Sequence, residues 1–279
     1  MIQDIYPHQL KNEYHPEKKA HPDSPIFVFE GADVLIKNED RLVIPRRGDF
    51  PDDAEAIFLF QVDDVDYYLL KMKPIIVPNG YRFVPVRQIR AVATEPKELI
   101  FATYVAWQLA HWYRDNYFCG TCGSRTVLSK TERALVCPEC GRLIYPRIIP
   151  AVIVGVTNGD EIVLTRYADR PIAYNALVAG FMEIGETFEQ TVEREVMEEL
   201  GLKIKNLRYY KSQPWSIVDD ILAGFYCEVD GDPTIHRDPN ELKSAVWTRR
   251  EDIVLQPDDY SLTNEMMREF KEGRQSLLA

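Results

Sequence analysis

The 279 residues are enough for two domains and a small insert, and 46% hydrophobic with 28% charged residues is an ordinary globular composition. The net charge of −11 argues against a broad electrostatic grip on nucleic acid, although bound cations would still allow a substrate that carries phosphate. No N-terminal signal and no apolar run of about 18 residues is present, so we expect a cytoplasmic protein with no membrane partner.

The first part of the chain has the pattern of a small antiparallel sheet followed by a helix. Met1 to Pro25 is polar, and its three histidines show no ligand spacing, which favours surface histidines. A helix is predicted from Pro96 to Trp112, capped by Thr94. No catalytic constellation is found here, so residues 1–112 are predicted to be a mostly-β scaffold domain. Its strands are expected at Ile26 to Glu30, Val34 to Lys37, Arg41 to Ile44, Ala56 to Val62 and Tyr67 to Lys71.

Four of the five cysteines form two Cys-x-x-Cys pairs, each within a tight turn that contains Gly or Pro. In a reducing compartment this spacing is typical of a tetrahedral Zn²⁺ site; the alternatives are two disulfides or unliganded thiols. Cys227 lies in an apolar run and is expected to be an ordinary buried thiol. The predicted zinc ligands are Cys119, Cys122, Cys137 and Cys140.

Two short strands, Arg125 to Ser129 and Arg133 to Val136, are predicted between the cysteine pairs, so residues 113–146 read as a zinc ribbon. Many ribbons contact nucleic acid, but this one has a modest basic content within an acidic chain. A structural clip between domains is therefore favoured over a binding module.

Residues 147–279 alternate strand and helix patterns, which predicts a mixed α/β sandwich. Asn158-Gly159 is a strong hairpin signal between the first two strands, and Ser261 is a predicted cap for a last helix. The expected strands are Ile148 to Val156, Glu161 to Arg166, Asn206 to Gln213, Asp219 to Val229 and Ala245 to Thr248.

The segment Gly180 to Leu202 has the densest pattern in the chain, a flexible Gly-rich turn followed by a helix that stops at Gly201. At about 100° per residue, three glutamates fall within an arc of about 100°, and a separate apolar stripe faces the core. Like charges this close repel, and hard cations such as Mg²⁺ or Mn²⁺ relieve the repulsion. The alternative to a metal site is an ordinary acidic face of a surface helix, exposed to solvent. The glutamates are Glu195, Glu198 and Glu199, and the stripe is Val192, Val196 and Leu200.

The whole string resembles the signature box of the Nudix hydrolases without a departure: Gly180, Glu186, Arg194-Glu195, Glu198-Glu199 and Gly201 hold the family positions. The resemblance implies hydrolysis of a nucleoside diphosphate linked to another moiety, on a Nudix α/β/α sandwich with a mixed sheet.

The cysteine ribbon, Tyr145-Pro146-Arg147, the box and Ser212-Gln213-Pro214-Trp215 together resemble the zinc-containing NADH pyrophosphatases, from about Glu98 onward. In that family the last motif continues into Pro-Phe-Pro and ends, one residue on, in Ser. Here it continues as Ser216 to Asp220, without the prolines and the aromatic residue and with two acids beside an anionic substrate. The preferred dinucleotide is therefore left open.

The resemblance implies roles for particular side chains. Glu195 and Glu199 would ligate Mg²⁺ or Mn²⁺ with Glu198 alongside, and Arg194 would orient a carboxylate or form a plain salt bridge. Glu186 would hold the turn or join the metal network. The main-chain oxygen of Ala179 and the carboxylate of Glu241, taken alone an ordinary surface residue, are further metal ligands. The implied substrate contacts are Glu132, Tyr145, Phe181, Gln213 and Trp215; for Phe181 and Tyr145 packing is the alternative.

The expected reaction is metal-dependent hydrolysis of NADH or NAD-type dinucleotides to nicotinamide mononucleotide and AMP. Removal of NAD caps from RNA 5′ ends, or hydrolysis of another nucleoside diphosphate derivative, uses the same chemistry. A ligand-sensing Nudix regulator is the non-enzyme alternative, but such a domain would be expected to have lost box carboxylates. Family members are commonly homodimers, so a homodimer is expected.

Overall fold

The computed structural model describes residues 1–38, 41–71, 74–92, 95–168 and 174–275. The chain forms two compact units. The first unit contains residues 4–147 and 216–219, and the second contains residues 1–3, 148–215 and 220–279. The three N-terminal residues thus belong to the unit formed by the C-terminal half. The predicted division into three domains stays a prediction.

The first unit is mostly β-structure around one long helix. Strands β1, β6, β7 and β2 form one sheet, β3, β4, β5 and β8 a second, and β9, β10 and β11 a third (bounds below). The strands are β1 (Leu10–Lys11), β2 (Ile26–Phe27), β3 (Phe29–Glu30), β4 (Asp33–Asn38), β5 (Leu42–Val43), β6 (Glu55–Val62), β7 (Val65–Lys71), β8 (Arg82–Pro85), β9 (Val127–Leu128), β10 (Leu135–Val136) and β11 (Leu143–Ile144); the helices are α1 (Ile89–Val92) and α2 (Lys97–Asp115).

The strands and the long helix predicted before residue 113 are found, but the strands do not form one small antiparallel sheet. They belong to two sheets, and β2 pairs with β7 in parallel. The sequence also missed strand β1 and helix α1. Strand β8 is missed by the sequence because its four residues are too short to show a period. Helix α2 begins at Lys97, directly after Pro96, and continues three residues beyond the predicted end at Trp112. Thr94, the predicted cap, lies outside the described residues. Helix α2 buries most of its length, including the rings of Phe101, Tyr104, Trp112 and Tyr113.

The second unit is a six-stranded mixed sheet in the order β15-β16-β12-β13-β17, with β14 paired to β12. Strands β12 and β16 are parallel, and the other pairs are antiparallel. The elements are β12 (Ile149–Asn158), β13 (Glu161–Tyr167), β14 (Val178–Phe181), α3 (Phe188–Leu200), β15 (Ile204–Trp215), β16 (Asp220–Val229), β17 (Leu242–Arg249) and α4 (Leu262–Lys271).

Alternation along β12 gives this sheet two apolar faces, because successive side chains of a strand point to opposite sides. Val152, Val154 and Val156 pack against α3. Ile153, between them, packs with α4. Each buried aliphatic side chain contributes about 1.5–3 kcal/mol. The predicted α/β/α sandwich is confirmed. On α3 the fully buried side chains are Val192, Val196 and Leu200, and on α4 they are Met266, Met267 and Phe270.

One part of the sequence prediction for this unit is wrong. Of the three residues predicted to form a flexible turn before the acidic helix, Ala179 and Gly180 lie in strand β14, whereas Gly185 lies in a turn with a φ of 96°. Gly180 lies inside this strand and pairs with Val152. The hairpin at Asn158-Gly159 and the cap at Ser261 are both confirmed, since Asn158 pairs with Glu161 and the Ser261 side chain accepts a hydrogen bond from the Asn264 amide.

Among the described residues, none of the helices is both long enough and apolar enough to span a bilayer.

Candidate active site and metal centres

The four paired cysteines converge at one point of the first unit. Their Sγ atoms all lie within 4.8 Å of one another. Two cross-pair distances are 3.6 Å (Cys119 to Cys140) and 3.4 Å (Cys122 to Cys137). A sulfur tetrahedron around Zn²⁺ has edges of about 3.8 Å, whereas a disulfide requires about 2.05 Å. The disulfide alternative is therefore excluded, and the donor set fits Zn²⁺.

Backbone hydrogen bonds lower the pKa of the first pair of thiols, Cys119 and Cys122, whereas contacts with the neighbouring thiols raise the pKa of Cys140. The Thr121 amide donates to the Cys119 sulfur at 3.4 Å. Together with the Cys122 amide it lowers the pKa of the Cys119 thiol to about 6, so the thiolate is available near neutral pH. Gly123 and Gly141, each directly after a pair, have positive φ angles of 76° and 73°. Cys227 is buried in the second unit, and burial raises its pKa to about 12, which confirms an ordinary core thiol.

We expect Cys137→Ser to reduce bound zinc from one ion per chain to near zero, because a hydroxyl is a poor ligand for Zn²⁺. Metal analysis by mass spectrometry of the purified protein measures this. Cys227→Ala, which removes a thiol outside the cluster, is the matched control and should keep its zinc. Equal zinc in wild type and Cys137→Ser would contradict the assignment.

Two predicted substrate contacts meet on the surface of the cysteine-rich segment. The neighbouring Glu132 carboxylate raises the pKa of Tyr145, which places the two side chains next to each other. Tyr145 is 54% exposed, so it is not packed away at the edge of the segment. The Tyr145 hydroxyl and the Glu132 carboxylate thus form a polar group on the surface that can accept hydrogen bonds. Their contact with substrate stays a prediction.

Helix α3 carries the acidic cluster and is capped at both ends. At its start the Thr187 side chain accepts from the Gln190 amide and the Gln190 side chain accepts from the Thr187 amide, a complete capping box. At its end Gly201 adopts the left-handed conformation with φ 67°. The helix is therefore fixed in both position and length, as its apolar stripe and Gly201 predicted.

Gly180 allows the Glu195 carboxylate to lie directly against strand β14. A Cβ atom at position 180 would overlap the Glu195 carboxyl group well inside van der Waals contact. The glycine is thus required by a close approach between backbone and side chain. Burial raises the pKa of Glu195, and the neighbouring Arg194 opposes this shift. The next residue back, Ala179, brings its main-chain oxygen to the same stretch of β14; its role as a metal ligand stays a prediction.

Arg194 holds three carboxylates at once. Its guanidinium lies 2.6 Å from Glu186, 2.7 Å from Glu195 and 3.0 Å from Glu198, and it also donates to the Phe181 carbonyl oxygen at 2.9 Å. The contact with Glu186 raises the pKa of Arg194 and lowers that of Glu186 to about 2. Arg194 therefore forms ion pairs with three carboxylates of the cluster and is more than one partner in a single salt bridge.

Glu186 also fixes the turn before the helix. Its Oε2 atom accepts from the Glu183 amide at 3.0 Å and from the Thr191 hydroxyl at 2.9 Å. Thr191 is a residue that sequence reasoning missed, because a buried threonine on an apolar helix face resembles ordinary packing. With both oxygens of Glu186 engaged by Arg194, Thr191 and the turn, this side chain orders the loop.

Glu199 is the carboxylate that lacks a counter-charge. It is 1% exposed, and its Oε2 atom has no hydrogen-bond partner among the described residues. Burial first, then the charges of Glu195 and Glu241, raise its pKa to about 8. A buried carboxylate beside other carboxylates is costly unless a cation neutralises it. The residues present therefore fit a divalent cation, and a merely solvated acidic face is excluded.

The loop before β17 faces the same cluster. Glu241 and Asp238 both act electrostatically on Glu199. The Asp238 amide also donates to the Glu199 main-chain oxygen at 3.0 Å. Glu241 therefore acts on the same carboxylate as the acids of α3, and its metal ligation stays a prediction. Asp238 was missed, since nothing in its local sequence separates it from a surface aspartate.

The remaining predicted substrate contacts differ in exposure. Phe181, at the end of β14, is 54% exposed, which rules out the core-packing alternative.

Gln213 is fully buried, and its amide group binds Gln3 at 3.0 Å, the Tyr260 carbonyl at 2.8 Å and the Leu262 amide at 2.7 Å. These bonds tie the N-terminus of α4 to β15. Trp215 is half-buried at the last position of β15. Substrate contact by Gln213 and Trp215 stays a prediction.

The segment that departs from the family motif does not display its two acids. Asp219 and Asp220 are 3% and 7% exposed. Both side chains are therefore buried rather than displayed on the surface, and their effect on an anionic substrate stays a prediction. The Asp219 carboxylate instead contacts His111 at 2.6 Å and forms an ion pair with Arg147 at 2.6 Å, which sequence reasoning did not detect because these residues are distant in the chain.

Comparisons with known proteins identify relatives of this chain. A family model described as NUDIX domain matches residues 147–270, and one described as NADH pyrophosphatase zinc ribbon domain matches residues 114–145. The chain is 35% identical over 240 residues to the NAD-capped RNA hydrolase NudC of Salmonella heidelberg, covering 84% of this chain and 91% of that protein. The same enzyme of Salmonella schwarzengrund is 36% identical over 241 residues, with the same coverage. A crystal structure of a NUDIX hydrolase from Nitrosomonas europaea aligns with a TM-score of 0.49 and 20% identity, covering 57% of this chain and 92% of that one.

Proposed function

Because this chain belongs to the Nudix hydrolases that carry the NADH pyrophosphatase zinc ribbon, we propose that it hydrolyses the pyrophosphate bond of NADH and NAD-type dinucleotides, releasing nicotinamide mononucleotide and AMP. The observation that carries the proposal is the buried, unpaired Glu199 carboxylate among other acids on a fixed helix. It supports Glu195 and Glu199 as holders of Mg²⁺ or Mn²⁺, with Ala179 and Glu241 as further ligands.

Cations held by these carboxylates would neutralise the diphosphate and lower the pKa of the attacking water. The chain's own contribution is positioning. Arg194 keeps Glu195 and Glu198 from turning away from each other, and Gly180 lets Glu195 sit against β14. Glu198 is 60% exposed at the rim, where it is accessible to water. The water oxygen forms a new bond to one phosphorus, the bridging P–O bond breaks, and the two mononucleotides leave.

Phe181 supports the dinucleotide assignment, since an exposed ring directly after Gly180 offers a face on which a base can stack. Arg194 fixes its backbone through the Phe181 carbonyl. Tyr145 and Glu132, which lie next to each other, are proposed as polar substrate contacts.

We expect Phe181→Ala to raise the KM for NADH by roughly 10-fold and to change kcat little, because base stacking on an aromatic ring contributes about 1–3 kcal/mol. Steady-state kinetics with Mg²⁺ measure this split. Tyr209→Ala, an equally exposed aromatic of the same unit at 56%, is the matched control and should leave KM unchanged. An unaltered KM in Phe181→Ala would remove this ring from the substrate site.

A second candidate function is removal of NAD caps from RNA 5′ ends, which breaks the same bond. Its support is the printed activity of the NudC relatives, which cover most of this chain. The net charge of −11 predicts low affinity for the phosphate backbone of the RNA. Recognition would therefore depend mainly on the cap.

The experiment that tests both is a panel of NADH, NAD⁺, ADP-ribose, diadenosine polyphosphates and NAD-capped RNA, each with Mg²⁺ or Mn²⁺, with products resolved by mass. The proposal predicts AMP and nicotinamide mononucleotide from the dinucleotides. Efficient cleavage of capped RNA alone would favour the second function. No cleavage of any member would contradict both. The same preparation, analysed by ultracentrifugation, tests the homodimer that we propose from the family resemblance.

A further inference from the structure

Residues 236–241, called here the β16–β17 loop, are fixed to the end of helix α3. The His236 amide donates to the Leu200 carbonyl oxygen at 2.8 Å, and the Asp238 amide donates to the Glu199 carbonyl oxygen at 3.0 Å. Carbonyl groups in the last turn of a helix have no partner within the helix, so the loop supplies donors that they lack. The loop and the catalytic helix are therefore joined through their main chains, within one compact unit.

Further hydrogen bonds hold the loop on both sides of the Glu241 side chain. The Leu242 amide donates to the Asp238 carbonyl oxygen at 3.0 Å, and the Arg237 guanidinium donates to the Leu242 carbonyl oxygen at 2.6 Å. The Ala168 amide, directly after β13, donates to the Glu241 carbonyl oxygen at 3.0 Å. The position of the Glu241 main chain is therefore set by the end of β13 as well as by the loop itself.

The side chain of Asp238 shapes the turn that leads into Glu241. Its Oδ1 atom accepts a hydrogen bond from the Asn240 amide at 2.8 Å, which is an Asx turn around Pro239. The Asp238 side chain is half-buried, whereas Asn240 and Glu241 are exposed. Alanine at position 238 would leave the Asn240 amide without this acceptor, and the backbone before Glu241 would lose its local constraint.

The charge of Glu241 acts on two carboxylates of α3. It contributes to the raised pKa of both Glu195 and Glu199. Electrostatic repulsion weakens with distance, so the Glu241 carboxylate lies close to this cluster. One oxygen of Glu199, Oε2, is buried and has no hydrogen-bond partner among the described residues. The hydrogen bonds of the β16–β17 loop therefore hold Glu241 beside like charges that repel it.

We propose that Asp238 is a positioning residue for the catalytic cation, acting through its Asx turn to keep Glu241 beside the carboxylates of α3. The inference rests on the proposed function in one respect, the role of Glu241 as a metal ligand. An ordered loop loses less conformational entropy when a cation binds, so the turn raises affinity without touching the cation. Asp238 acts here as a hydrogen-bond acceptor, and asparagine offers the same acceptor without the charge.

The test titrates the full-length protein with Mn²⁺ alone, without nucleotide, and measures free Mn²⁺ by electron paramagnetic resonance. We expect Asp238→Ala to raise the Kd for Mn²⁺ on the order of tenfold, as loss of a group that orients a metal ligand does. Asp238→Asn should stay within about twofold of wild type, because its side-chain oxygen still accepts from the Asn240 amide.

Hydrogen–deuterium exchange of the peptide 236–242, without cations, separates positioning from ligation. Asp238→Ala should exchange faster than wild type in this peptide. Glu241→Gln should raise the Kd for Mn²⁺ but exchange at the wild-type rate, because its backbone bonds remain.

Asp232→Ala is the matched control. Asp232 lies in the same connection between β16 and β17, and its Oδ1 atom accepts from the Thr234 amide at 2.9 Å and from the Thr234 hydroxyl at 2.7 Å. The variant removes a similar turn outside residues 236–241, so its affinity for Mn²⁺ should match that of wild type.

A wild-type Kd for Mn²⁺ in Asp238→Ala would overturn the inference. So would an Asp238→Asn variant as weak as Asp238→Ala, which would assign the effect to charge, or an equal loss in Asp232→Ala, which would indicate general loosening of the connection. If wild type and variants bound Mn²⁺ as expected but hydrolysed no dinucleotide, the proposed function would fail and the inference would stand. A wild type that binds no Mn²⁺ would contradict both.

Discussion

Glu199→Gln is expected to lower kcat on the order of 10³-fold while making the protein more stable in the absence of Mg²⁺ and Mn²⁺. The loss of activity follows because an amide is a weaker and uncharged ligand for a hard cation. The gain in stability follows because the variant no longer buries a carboxylate that lacks a partner. The gain should be about 1–3 kcal/mol in the free energy of unfolding.

The stability difference has a defined dependence on pH. Burial and neighbouring acids raise the pKa of Glu199 from its ordinary 4.5 to about 8. Between these values the folded chain binds a proton that the unfolded chain has released, so the stability of wild type falls as pH rises through this window. Glutamine does not titrate, so the variant should lack this component.

Thermal denaturation at about pH 6 and about pH 9, without added divalent cations, checks this dependence. The gap between variant and wild type should widen at the higher pH. Glu193→Gln, an exposed glutamate on the same helix, is the matched control and should alter neither kcat nor stability. Near-normal activity of Glu199→Gln with Mg²⁺ would remove this residue from the metal site.

Gly180→Ala is expected to reduce kcat by at least about 100-fold, a larger effect than one added methyl group normally produces. The new Cβ atom would occupy the space of the Glu195 carboxyl group, so this side chain must leave β14 and its contact with Arg194. Rate constants measured at saturating NADH and Mn²⁺ report the loss.

Gly155→Ala provides the matched control for steric strain alone. Its Cβ atom would lie 2.7 Å from the ring of Tyr226, away from the acidic cluster. This variant should lose thermal stability, but its folded fraction should keep a normal kcat. If the two alanine variants lost activity in proportion to their loss of stability, the special role of Gly180 would be contradicted.

Much of this site follows from local sequence. The apolar stripe of α3, the stop at Gly201 and the two cysteine pairs have short-range causes, namely helical period, left-handed backbone and tight turns, and the structure confirms all three. Predicting which carboxylate is buried is harder. Glu195, Glu198 and Glu199 share one helix face in the sequence, yet Glu198 is 60% exposed and Glu199 is 1% exposed. That difference is set by β14 and by the loop that carries Glu241.

Other parts of the structure depend on contacts between distant segments and could not be predicted. Strand β14 is short and contains a glycine, so its pairing with β12 has no period to reveal it. The buried amide of Gln213 bonds to Gln3, 210 positions away, and the Asp219 carboxylate contacts His111 and Arg147. In each case a polar side chain has a partner that only the folded chain brings near.

The central claim is that acids of α3 hold the divalent cations that make a pyrophosphate bond breakable by water. The most direct measurement is anomalous diffraction from crystals grown with Mn²⁺ and a non-hydrolysable dinucleotide. We predict manganese peaks about 2.0–2.3 Å from carboxylate oxygens of Glu195 and Glu199, between these side chains and the diphosphate. Manganese bound elsewhere, with both carboxylates turned away from the phosphates, would contradict the claim.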